Sequence, residues 1–81
     1  MKLQKNLALS ESGFAFHSST GDTFLLNDTG NFILHLIQSG NNEAEILNSV
    51  IEEFDVEKNI AEKDLIDFIS RIKNFNLIEA E

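Results

Sequence analysis

The sequence predicts an α+β fold: a three-stranded antiparallel meander followed by three helices, in a single domain spanning residues 1–81. Two patterns predict it. Over residues 5–26 the apolar residues alternate with period 2 and are interrupted by "ESG" and "STGD". From Asn27 onward they recur at three- and four-residue spacings, with polar breaks at "GNN" and "DVEKN". Alternation suits half-buried strands, and the longer period suits helices with one apolar face. Strands grouped before helices read as α+β rather than as alternating βαβ units.

The first strand is expected in "KNLALS", residues 5–10, with Leu7 and Leu9 on one face. The second is expected in "GFAFHS", residues 13–18, with Phe14 and Phe16 on one face, and the third in "TFLL", residues 23–26. A three-residue loop of Thr20, Gly21 and Asp22 would place Phe14 and Phe16 on the same face as Phe24 and Leu26. A slip of one residue would separate the two pairs.

Asn27 or Asp28 is expected to cap the first helix, since either side chain can accept from a free first-turn N–H. That helix carries Phe32, Ile33, Leu36 and Ile37 on one face and stops at Gly40, which suits the left-handed position after a helix. Asn42 with Glu45 three residues on forms a capping box for a second helix bearing Ile46, Leu47, Val50, Ile51 and Phe54. A third helix is expected from near Ile60, its core stripe centred on Leu65, Phe68, Ile72 and Phe75. Ile69 lies on one shoulder of that stripe and Ile66 further round. Leu77 and Ile78 are expected in a short extended piece. A small sheet beside three helices is winged-helix-like in shape, and that shape alone assigns no function.

Composition narrows the function. Fourteen acidic residues against six basic ones give a net charge of −8. Nucleic-acid affinity comes from Lys and Arg neutralising phosphates, so this balance argues against DNA or RNA as partner. The third helix is itself acidic, with Glu62, Asp64 and Asp67 against Lys63, Arg71 and Lys73. An anionic membrane surface is disfavoured for the same reason. No apolar run approaches a membrane span, and the N-terminal stretch is too broken for a signal peptide. The expected location is cytoplasmic. Cys is absent, which excludes disulfides and thiol-based metal or redox chemistry.

Reactive groups do not converge in the sequence. His17 lies on a strand and His35 on a helix, with no second ligand at metal-binding spacing near either. The serines have no adjacent base, and the glycines are spaced as turn, cap and helix-end residues rather than as a phosphate loop. Neither catalysis nor a cofactor nor a metal is expected.

The stretch "FLLNDTGNFILHLIQSG" is more specific. With Phe24, Leu26, Asn27, Thr29, Gly30, Ile33, Leu36 and Gly40 it resembles the PqqD-like family, also called RiPP recognition elements. Glu45-Ile46, Asp64 and Leu77-Ile78 extend the resemblance to about residues 5–79. Two positions depart from the family pattern: Leu34 stands where Trp is common, and Asn76 where Gly is common before the final Leu. Asn also tolerates the left-handed conformation, so the second change is mild.

The resemblance implies a non-catalytic adaptor. It would capture the leader segment of a ribosomally made precursor peptide and present it to a modifying enzyme such as a radical SAM enzyme, a cyclase or a protease. The implied mode is β-augmentation at the third strand, which places Thr23, Phe24, Leu25 and Leu26 at the peptide. The third helix would supply the other wall of the groove, for which Ile66, Ile69 and Lys73 form a contiguous shoulder. The alternative is an acidic winged-helix interaction subunit of another pathway.

Overall fold

The computed structural model describes residues 1–79. Strands β1 (Leu7–Leu9), β2 (Phe14–His17) and β3 (Asp22–Leu25) are followed by α1 (Asp28–Gln38), α2 (Glu43–Phe54) and α3 (Lys58–Asn74). The sheet is antiparallel in the order β1-β2-β3, which leaves β3 at one edge. The expected α+β order is therefore the observed one. The first two strands are shorter than expected, β3 starts and ends one residue earlier than expected, and α3 begins ahead of Ile60.

The register differs from the expected one. Phe14 pairs with Leu25, Ala15 with Phe24 and Phe16 with Thr23, so the β2–β3 loop is Ser18–Gly21 rather than residues 20–22. Gly21 takes φ +78° in that turn. On the other side of β2, Leu7 pairs with His17 and Leu9 with Ala15. The core face thus carries Leu7, Leu9, Ala15, His17 and Phe24. Phe14 and Phe16 face solvent, 42% and 44% exposed, together with Leu25 at 79%. The larger side chains of β2 point outward because pairing to Leu7 and Leu9 turns Ala15 and His17 inward. Ala15, wholly buried, lets the helices lie close to the strand.

The helix ends follow local chemistry. Asn27 caps α1, its Oδ1 accepting from Gly30 N–H at 2.7 Å. Asn42 and Glu45 form the expected capping box on α2, with both bonds at 2.9 Å. Gly40, just past α1, has φ +92°, and Asn76, just past α3, has φ +58°. Beyond Asn76 the chain makes an antiparallel bridge between Leu3 and Ile78, held by Gln4 N–H to Leu77 O at 3.0 Å and Glu79 N–H to Lys2 O at 2.8 Å.

The core is built from Ile33, Leu34 and Ile37 of α1, Ile46 and Val50 of α2, and Ala61, Leu65, Ile69 and Ile72 of α3, closed by Leu77 and Ile78. Phe24 and Phe68 pack against it half-buried. Ile69 is not a shoulder residue but buried, while Phe75, expected on the core stripe, is 57% exposed at the end of α3. Gly30 lies against the ring of Phe68 from α3. A Cβ there would lie 3.0 Å from both Phe68 Cε1 and Asn27 Oδ1. The residue that needs the space is Phe68 of α3, not the sheet.

Candidate functional site

The edge of β3 is the feature the fold leaves open. Leu26 N–H donates to Gly13 O at 2.8 Å, which makes 26 and 13 a hydrogen-bonded pair. Such pairs alternate along an antiparallel ladder, so Phe24 and Asp22 also bond toward β2. The N–H and C=O groups of Thr23 and Leu25 therefore point away from the sheet. Ser10 N–H to Phe14 O and Ser18 N–H to Asn6 O, both 2.9 Å, give β1–β2 the complementary phase. Among the described residues no backbone segment pairs with the free side of β3. An uncovered edge of this kind accepts another strand.

Two surfaces meet at this edge. On the inner side Phe24 packs its ring on Phe75, centroids 5.5 Å apart and planes tilted by 55°. The contact ties the end of α3 to β3, and such a pair is worth about 0.5–1.5 kcal/mol beyond its buried area. Beside the cap of α1 a cleft of about 350 Å³ opens among the three helices, with Asn27, Thr29, Phe54, Asp64, Phe68 and Arg71 on its walls. On the outer side Leu25 and Thr23 continue the row formed by Phe14 and Phe16.

The expected site residues divide into two groups. Thr23, Phe24 and Leu25 lie on the edge strand, and Leu26 follows directly. Ile66, Ile69 and Lys73 are not brought to that edge. At about 100° per residue, Ile66 lies roughly 180° and Lys73 roughly 160° round α3 from Phe75, the residue that touches β3. Ile66 is 65% exposed, Ile69 is core, and Lys73 borders a separate cleft of about 600 Å³ with Met1, Gln4, Asn42 and Glu43. Phe75, which caps the end of α3, touches Phe24 of β3, while Phe68 and Arg71 of α3 line the cleft beside Asn27 and Thr29 at the start of α1. The wheel alone could not reveal this, because it does not say which side of the stripe β3 occupies.

The other polar candidates are placed separately. His17 is buried on the inner face with Nδ1 unpartnered, and His35 Nε2 lies 3.4 Å from Ser10 O. Among the described residues no group of three or more His, Asp or Glu is placed to hold a metal ion. Among the described residues no helix is long and apolar enough to cross a membrane.

The family described as "Coenzyme PQQ synthesis protein D (PqqD)" matches residues 13–78. The chain belongs to the PqqD family. Two solved structures share its fold. One, "TbiB1 in Complex with the TbiA(beta) Leader Peptide", is 28% identical with a TM-score of 0.89, covering 100% of this chain and 98% of that one. The other, "Lasso peptide synthetase B1 complexed with the leader peptide", is 22% identical with a TM-score of 0.83, covering 98% and 96%. No curated protein sequence matches the chain. The PqqD match takes in β2, β3 and all three helices, and so the open edge, the Asn27 cap and the Phe24–Phe75 contact.

Proposed function

We propose that this chain binds the leader segment of a ribosomally made precursor peptide as a fourth strand on β3 and presents it, without chemistry of its own, to a modifying enzyme. The observation that carries this reading is the open β3 edge, where Thr23 and Leu25 direct their main-chain groups outward beside α3. Backbone bonds give such an added strand its affinity, and flanking pockets select its side chains. Membership of the PqqD family supports it, as do the two similar structures, both solved with a leader peptide. Thr23, Phe24, Leu25 and Leu26 form the receiving strand. Phe68, Arg71 and Phe75 form the facing wall, in place of the Ile66, Ile69 and Lys73 shoulder.

Calorimetric titration with the precursor peptide encoded beside the gene tests the reading. Leu25→Pro removes an outward N–H and adds a ring where the partner strand must approach. Wild-type protein should bind the peptide, and Leu25→Pro should stay folded and lose binding sharply. Equal affinity in both proteins would defeat the augmentation mode.

A further inference from the structure

Leu25 is the most exposed large apolar side chain, at 79%, and it lies on the outer face of the sheet, away from the helices. Its one cross-strand neighbour is Phe14, itself 42% exposed, and the adjoining row pairs Phe16 with Thr23. Edge strands commonly carry Lys or another charge pointing outward, which blocks pairing. The outward side chains of β3 are Thr23 and Leu25, both uncharged. The outer face is therefore uncharged up to the open edge, and apolar along the Phe14–Leu25 row.

Resting on the leader-binding reading above, we infer that this outer face is a specificity determinant: it selects a leader strand that carries an apolar side chain beside Leu25. The register dictates the geometry. An antiparallel strand that bonds to the outward groups of Thr23 and Leu25 forms hydrogen-bonded pairs with those two residues. Side chains of directly opposed residues share a face, with Cβ atoms about 4.5–5.5 Å apart. The leader residue opposite Leu25 thus extends the Phe14–Leu25 row, and the residue opposite Thr23 extends the Phe16–Thr23 row. The residue between them turns inward, toward Phe24 and Phe75. An apolar residue beside Leu25 removes Leu25 from water, whereas a charged one strands its own solvation at an apolar surface. The recognised segment accordingly has adjacent apolar residues facing both sides of the sheet, rather than apolar residues on the groove side alone. A second copy of the chain or a surface of the modifying enzyme would cover the same face without this dependence on leader sequence.

Synthetic peptides tiling the precursor encoded beside the gene locate the bound segment by calorimetry, with the fold of every variant checked by circular dichroism. Leu25→Lys keeps the backbone N–H but places a charge on the outer face, and Phe14→Gln tests the same row from the neighbouring strand. Leu25→Lys should weaken the binding tile about tenfold or more, and Phe14→Gln, which acts only through its packing on Leu25, by a smaller factor. A tile variant with Glu opposite position 25 should bind Leu25→Lys better than wild-type protein. Wild-type affinity in both variants, with Leu25→Pro still blocking the peptide, would overturn this inference and leave the leader-binding reading intact. Unbound protein that is dimeric by light scattering, and monomeric as Leu25→Lys with unchanged peptide affinity, would assign the face to self-association instead. Failure of every tile to bind would overturn both readings together.

Discussion

Gly30→Ala is the most informative single change to the fold. Elsewhere in a helix interior, replacing Gly by Ala stabilises by about 1 kcal/mol, because Ala loses less conformational freedom. At position 30 the new Cβ would lie 3.0 Å from Phe68 Cε1 and 3.0 Å from Asn27 Oδ1, the atom that caps Gly30's own N–H at 2.7 Å. Disturbing the cap costs about 1 kcal/mol. Displacing a packed ring costs about 1–3 kcal/mol as overpacking. The net expectation is a loss of about 1–3 kcal/mol, opposite in sign to the propensity effect. For a domain of this size that lowers the melting temperature by roughly 5–20 °C. Far-UV circular dichroism is the suitable assay, since the chain has no Trp or Tyr to report by fluorescence. Phe68→Leu removes the ring atoms nearest Gly30, so in that background the Gly30→Ala penalty should shrink by about 1 kcal/mol or more. Gly30→Ala melting at or above wild type, or the same penalty in both backgrounds, would refute the close packing of the Phe68 ring on the first turn of α1.

The observed register separates two substitutions on adjacent residues of β2. Phe16→Ser, on the outer face, should cost less than about 1 kcal/mol, whereas Ala15→Leu, on the buried face, should cost about 1–3 kcal/mol by overpacking. Urea denaturation of the two variants gives the comparison. Asn42→Ala removes the capping box of α2 and should lower stability by about 1 kcal/mol in the same assay. Asn76→Gly relieves the positive φ after α3 and should raise stability by up to about 1 kcal/mol, visible as a higher melting temperature.

The sequence by itself determined the element order, the ends of α1 and α2, and the family. Those features are local: Asn27 and Asn42 bond to amides three residues on, and Gly40 meets the backbone need of a helix end wherever the helix packs. The same locality made Asn76 readable as a left-handed residue. Which face of the sheet is buried was decided by tertiary structure. Period-2 alternation marks two faces without saying which is inner. Pairing to Leu7 and Leu9 settled it, together with the small volume of Ala15 beneath the helices. The role of Gly30 was undecided for a similar reason, because the ring that needs its space comes from Phe68, far along the chain. The α3 wall of the site was hidden as well. A helical wheel gives angles between residues but not the direction of β3, and the contact of Phe75 with Phe24 supplies that direction. Thr23 and Leu25 could be placed at an edge from the meander alone. That their main-chain groups face outward depends on the phase of the ladder, set by Leu26 bonding to Gly13 across the sheet.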